Sequence, residues 1–123
     1  MATVLVVDDD KVVSHLIVSV LREQKHKVIP AYDAVSGLMV ATRTAGIDAI
    51  VLDINMPGGS GEDTLRRLKM NTRTGQIPVI VLSGSIDDEG RKRVLALGAT
   101  HALTKPLVPN ELLSALDTAL ADQ

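Results

Sequence analysis

Short hydrophobic runs alternate with longer amphipathic segments along the chain. Three runs are continuous stretches rich in Val, Ile and Leu, which is typical of strands buried on both faces of a sheet. A weaker run contains Pro30, which cannot donate to a strand ladder, so we expect that strand at an edge. The predicted strands cover residues 3–7, 27–31, 48–52, 77–82 and 100–103.

The segments between these strands repeat hydrophobic residues every three or four positions, the spacing of an amphipathic helix. Asp10 stands at the N-cap position of the first predicted helix, and Asn110 is expected to cap the last. The first four predicted helices cover residues 11–24, 34–44, 62–71 and 87–97. Core positions expected in the first two are Val13, Leu16, Ile17, Val20, Leu21, Leu38 and Met39.

Regular alternation of strand and helix predicts parallel strands joined by right-handed crossovers, with helices on both faces of the sheet. A chain of 123 residues is expected to form a single domain over residues 1–123. Ligands bind to such sheets beyond the carboxyl ends of the strands. The residues that follow each strand are therefore the first candidates for a functional site.

Composition narrows the function classes. The chain has no cysteine, which excludes disulfides and cysteine-ligated metals. Its net charge is −2 and Tyr32 is its only aromatic residue, so it offers neither a basic patch nor a stacking surface for nucleic acid. No apolar run is long enough to span a bilayer. We therefore expect a cytoplasmic protein that contacts neither nucleic acid nor membrane directly.

Four of the predicted strands are followed by residues that can take part in chemistry. Asp8 and Asp9 follow the first strand, and Asp53 follows the third. Ser83 follows the fourth strand, and Lys105 lies just beyond the fifth. Because parallel strands end at the same edge of a sheet, these five side chains are expected to lie together.

This combination predicts a phosphoryl-transfer site. Three carboxylates brought together repel one another unless a cation joins them, and an all-oxygen site with room for water suits Mg²⁺. Lys105 and Ser83 add a positive charge and a hydroxyl donor for phosphoryl oxygens. Aspartate itself can act as the nucleophile and form an aspartyl-phosphate.

These residues, with Met56, Pro57, Gly61 and Pro106 at their spacing, resemble the receiver domains of two-component response regulators. The chain looks most like the single-domain, chemotaxis-regulator type, and the resemblance runs from Thr3 to about Leu120. It implies an α/β, flavodoxin-like (βα)5 fold with a doubly wound sheet. Five parallel strands would follow the order 2-1-3-4-5, with helices on both faces.

The resemblance also implies site roles. Asp53 corresponds to the phosphoacceptor, and Mg²⁺ is the expected cofactor. Asp9 corresponds to a direct Mg²⁺ ligand, Asp8 to a ligand acting mainly through water, and the main-chain carbonyl of Asn55 to a third ligand. The phosphoryl donor would be a phosphohistidine on a sensor histidine kinase or phosphotransfer protein, and the phosphorylated domain would act on a downstream protein target.

Further roles follow for the fourth and fifth strands. Ser83 corresponds to the hydroxyl residue that turns toward the phosphoryl group, and Lys105 to the lysine that pairs with it. The Lys105–Pro106 bond corresponds to a position that is cis in the family. The first helix corresponds to the family's kinase-docking surface, which implies Val12, His15 and Ser19 as contacts.

One position departs from the family pattern. Receiver domains usually carry Tyr, Phe or His three residues before the lysine, whereas this chain has Ala102. His101 is one residue earlier, and strand alternation places it on the opposite face. Our hypothesis is that the signal passes instead through residues 84–87 and the following helix, which Gly90 weakens.

The expected function is therefore a phosphorylation-controlled binding module, which catalyses only its own phosphorylation and dephosphorylation. Two alternatives stay within the family: a receiver domain with lost or altered switching that acts as a docking or phosphate-buffering module, and a receiver domain cut from a longer regulator. A phosphohydrolase is disfavoured because Asn55 replaces its second acid. A nucleotide or flavin binder is disfavoured because the glycine fingerprint is missing.

Overall fold

The computed structural model describes residues 1–56 and 61–121. Its strands are β1 (Thr3–Val7), β2 (Lys27–Ala31), β3 (Ala49–Asp53), β4 (Val79–Ser83) and β5 (His101–Thr104). They form one parallel sheet in the order β2-β1-β3-β4-β5, which confirms the expected order. Pro30 lies on the edge strand β2 opposite Val6, as its missing N–H predicted.

The helices are α1 (Lys11–Glu23), α2 (Ala34–Arg43), α3 (Gly61–Met70), α4 (Asp88–Ala96) and α5 (Pro109–Ala121). Asp10, Asp33 and Asp87 cap α1, α2 and α4 by accepting hydrogen bonds from first-turn amides. No helix in these two described segments is long and apolar enough to cross a membrane.

The start of α5 corrects one prediction. The helix begins at Pro109, so Asn110 lies inside the first turn and is not the cap. The carbonyl of Val108 accepts hydrogen bonds from the N–H groups of Glu111 and Leu112. Proline fits the first helical position because the N–H it lacks would have no partner within the helix there.

Helices cover both faces of the sheet, so the central strands are buried on two sides. Leu5 of β1 belongs to a core cluster shared with α2, α3 and α4, whereas Val4 and Val6 belong to a second cluster with Ile17 of α1 and Leu116 of α5. This double coverage explains why the strands are unbroken hydrophobic runs rather than alternating ones.

Two expected core positions are partly exposed. Leu16 is 44 % exposed and Met39 is 43 % exposed. In α1 the buried stripe runs through Ser14, Ile17 and Leu21, because the helix packs against α5 as well as the sheet. In α2 the buried residues are Gly37 and Ala41. A Cβ atom at Gly37 would lie 2.7 Å from the Val7 side chain, so the lack of a side chain at Gly37 lets the helix lie close on β1. The predictions for Leu16 and Met39 were therefore wrong.

Candidate phosphoryl-transfer site

Three carboxylates meet at the carboxyl edge of the sheet. Asp53 is the last residue of β3, and Asp8 and Asp9 directly follow β1, the neighbouring strand. One carboxylate oxygen from each residue lies within 4.8 Å of the other two. Asp8 and Asp53 are buried, whereas Asp9 is exposed. The structure thus brings the three predicted acidic residues together. The cluster is exposed to solvent on the side of Asp9.

Turn amides and one lysine orient the two buried carboxylates. The N–H of Asp10 donates to Oδ1 of Asp8 at 2.9 Å, and the N–H of Asn55 donates to Oδ1 of Asp53 at 3.0 Å. Nζ of Lys105 lies 3.2 Å from Oδ2 of Asp8 and 3.4 Å from Oδ2 of Asp53. In each carboxylate one oxygen is held by the local turn while the other faces the lysine. The Lys105–Pro106 peptide bond is cis.

One ammonium group does not balance three carboxylates. Burial raises the pKa of Asp8, and the charge of Asp53 adds to the rise, against the opposing effects of the Asp10 amide and Lys105. Burial by itself would lower the pKa of Lys105, but the carboxylates of Asp53 and Asp8 raise it above its ordinary value. Lys105 therefore stays cationic, while ionised Asp8 carries an electrostatic cost.

The donor atoms of this cluster fit a divalent cation. Within the described residues, Oδ2 of Asp8 is a buried oxygen without a hydrogen bond, and its contact with Lys105 is an ion pair. An oxygen-only donor set with a side open to water suits Mg²⁺, which retains several water ligands. Asp8, Asp9 and Asp53 are the side chains that would hold the ion.

Ser83 and Asn55 form a hydrogen-bonded unit beside the carboxylates. Ser83 is the last residue of β4 and is buried, and its Oγ lies 2.6 Å from Oδ1 of Asn55 and 2.9 Å from the carbonyl oxygen of Ser85. The N–H of Gly84 donates to the same Asn55 oxygen at 3.2 Å. The sequence predicts a metal-ligand role for the Asn55 main-chain carbonyl but not this contact between the Asn55 side chain and Ser83, because the two residues are 28 positions apart and local spacing does not encode such a pairing.

Gly61 holds the start of α3 against the segment that follows the phosphoacceptor candidate. A Cβ atom at Gly61 would lie 2.2 Å from the carbonyl oxygen of Ile54. Only glycine permits this close approach. Of the loop predicted at 56–61, Met56 is buried and Gly61 begins the helix, while residues 57–60, including Pro57, lie outside the described residues.

The position that usually carries an aromatic residue is filled differently here. Ala102 is buried in the core cluster on the face of the sheet that α2, α3 and α4 cover. The guanidinium of Arg91 in α4 donates a hydrogen bond to the carbonyl oxygen of Ala102. His101 lies on the other face, where it lines a shallow groove with residues of α5. The backbone of β5 is thus tied to α4 by an arginine.

The predicted docking residues lie on the exposed side of α1. Val12 is 80 % exposed, and His15 and Ser19 are also exposed. His15 and Ser19 line a shallow groove together with Arg22 and Glu23. These side chains are accessible to a partner, and their docking role stays a prediction.

Comparisons with known proteins agree with this fold. The family described as the response regulator receiver domain matches residues 4–117. PilH of Pseudomonas aeruginosa is 31% identical over 121 residues, covering 98% of this chain and 99% of PilH. PhoB of Escherichia coli is 32% identical over 117 residues, or 95% of this chain, but the chain spans only 51% of PhoB. The chemotaxis protein CheY4 of Vibrio cholerae has a similar structure, with a TM-score of 0.90, 30% identity, and coverage of 98% of this chain and 99% of CheY4.

Proposed function

Because the chain belongs to the response regulator receiver domain family, we propose that it accepts a phosphoryl group on Asp53 and changes its binding surface in response. The observation that carries the proposal is the buried Asp53 carboxylate, which lies within 4.8 Å of Asp8 and Asp9 and 3.4 Å from Nζ of Lys105. A signalling module of this kind turns over no metabolite, and the only reactions it promotes are its own phosphorylation and dephosphorylation.

In the proposed reaction a carboxylate oxygen of Asp53 attacks phosphorus, the new O–P bond forms, and the leaving group departs with the electron pair of the broken bond. The N–H of Asn55 orients the carboxylate, and Lys105 is placed to pair with phosphoryl oxygens. Asp8, Asp9, Asp53 and the main-chain carbonyl of Asn55 are the proposed Mg²⁺ ligands. Bound Mg²⁺ supplies positive charge that offsets the charge of the transferred group.

The proposed donor is a phosphohistidine on a sensor histidine kinase or a phosphotransfer protein, and the readout is binding to a downstream protein. The exposed α1 face with Val12, His15 and Ser19 is the proposed docking surface for the donor. It adjoins the acidic cluster because α1 begins directly after Asp10.

The route from the site to the target surface is proposed to run through residues 84–87 and α4. The bond from Arg91 to the Ala102 carbonyl supports this route, since it couples α4 to the edge of the sheet without an aromatic side chain. The absence of a ring at Ala102 also favours a second candidate, a docking or phosphate-buffering module without switching. Backbone amide shifts in residues 84–98 that stay unchanged on phosphorylation would support this second candidate.

Intact-mass measurement after incubation with acetyl phosphate and Mg²⁺ tests the proposed chemistry. We expect one added phosphoryl group, which is lost in Asp53→Asn and when Mg²⁺ is omitted. Asp88→Asn removes an exposed carboxylate from α4 and serves as the matched control, which should retain the gain. A folded wild-type protein that gains no mass would refute the phosphoacceptor function.

A further inference from the structure

We propose that the side chain of Asn55 is a positioning group that holds the Ser83 hydroxyl, at the end of β4, away from Asp53 and so opposes its movement toward a phosphoryl group on Asp53. The inference rests on the proposed phosphoacceptor function. It concerns the carboxamide of Asn55, which is separate from the main-chain carbonyl proposed as a metal ligand.

The hydrogen-bond geometry determines how the carboxamide is used. The N–H of Gly84 can only donate, so the Asn55 atom that faces it at 3.2 Å must be the carbonyl oxygen Oδ1. The hydroxyl of Ser83 has one proton, and of its two acceptors Oδ1 of Asn55 is closer, at 2.6 Å, than the Ser85 carbonyl oxygen, at 2.9 Å. Asn55 is therefore the principal acceptor for the Ser83 hydroxyl.

Asn55 also contacts Asp53, the proposed phosphoacceptor. Its main-chain N–H donates to Oδ1 of Asp53 at 3.0 Å, while its side chain holds Ser83. A Ser83 hydroxyl that turns to a phosphoryl oxygen must give up its bond to Asn55. The bond therefore stabilises only the phosphate-free state, and its removal is expected to favour the phosphoryl-bound state by roughly 2- to 12-fold.

A double-mutant cycle separates this role from a general effect on the loop. The probe is beryllofluoride with Mg²⁺, a phosphoryl mimic whose affinity is measured by titration. Asn55→Ala keeps the main-chain groups, and it should raise the affinity roughly 2- to 12-fold. In a Ser83→Ala background, Asn55→Ala should change the logarithm of the beryllofluoride affinity by less than half as much. An equal effect in both backgrounds, or a lower affinity of Asn55→Ala, would overturn the inference.

A second measurement needs no phosphoryl chemistry. Three-bond coupling constants report the χ1 rotamer of Ser83 in the protein without Mg²⁺ or beryllofluoride. We expect one rotamer in the wild type, averaging between rotamers in Asn55→Ala, and recovery of one rotamer in Asn55→Asp, which restores an acceptor oxygen. Unchanged couplings in Asn55→Ala would overturn the role of Asn55. Failure of every variant to bind beryllofluoride would refute the proposed function instead, and the couplings would still decide the question about Asn55.

Discussion

Replacing Gly61 with alanine is expected to destabilise the fold and displace the phosphoacceptor segment. The added Cβ would lie 2.2 Å from the carbonyl oxygen and 2.4 Å from Cα of Ile54, both backbone atoms that no side-chain rotation can move. Normal contact needs about 3.5 Å, so α3 and the end of β3 must separate by about 1 Å. Overpacking of this kind costs about 3 kcal/mol of unfolding free energy, the upper end of the usual range, because backbone must shift.

The same backbone shift should also slow the phosphorylation of Asp53. Ile54 lies between Asp53 and Asn55, whose N–H orients the Asp53 carboxylate at 3.0 Å, and a displacement of about 1 Å at a reacting group costs on the order of a hundredfold in rate. We therefore expect Gly61→Ala to slow phosphorylation by acetyl phosphate by about that factor, measured under conditions where the variant is fully folded.

Urea unfolding followed by circular dichroism measures the stability loss, and Gly84→Ala is the matched control. Among the described residues other than its two chain neighbours, none has an atom within 4 Å of a Cβ built at Gly84, so this variant should stay within about 0.5 kcal/mol of the wild type. A loss of unfolding free energy below about 1 kcal/mol in Gly61→Ala would show that the backbone at Ile54 moves aside at little cost. Glycine would then not be required at the start of α3.

Three further predictions follow from buried and exposed polar groups. Ser14→Ala should stabilise the protein by about 1 kcal/mol in urea unfolding, because the Ser14 hydroxyl is buried without a hydrogen-bond partner in the described structure; a loss of stability would show an unrecognised partner. Asp8→Asn should raise stability by about 1 kcal/mol in metal-free buffer at neutral pH and reduce the stabilisation by Mg²⁺. The sign follows from the raised pKa of Asp8: the folded state favours the protonated form, so ionised Asp8 costs stability as pH rises above its ordinary pKa. A less stable variant, or one with undiminished stabilisation by Mg²⁺, would contradict this reasoning. Arg93→Gln should leave the urea midpoint unchanged within error, although Nε of Arg93 lies 3.0 Å from Oε1 of Glu62, because both side chains are solvent-accessible; a clearly lower midpoint would mean that the pair fixes α4 against α3.

Local sequence patterns were sufficient to predict the helices and strands and the three residues of the acidic cluster. Hydrophobic runs and turn residues placed all five strands within two residues of their observed bounds. Because side chains that follow parallel strands must emerge at one edge, the meeting of Asp8, Asp9 and Asp53 followed from chain order alone. Element ends were less accurate: Asp53 and Ser83 are the last residues of their strands rather than the first residues of loops.

Periodicity and strand ends were enough to predict the alternation of elements, the burial of the central strands and the residues of the candidate site. Long-range packing decided which side of α1 is buried, because the neighbouring α5 is distant along the chain. It also decided that the Asn55 side chain holds Ser83 and that Arg91 reaches the Ala102 carbonyl. Each of these contacts joins two segments that are far apart along the chain. Their relative placement is set by packing, which a local sequence pattern does not reveal.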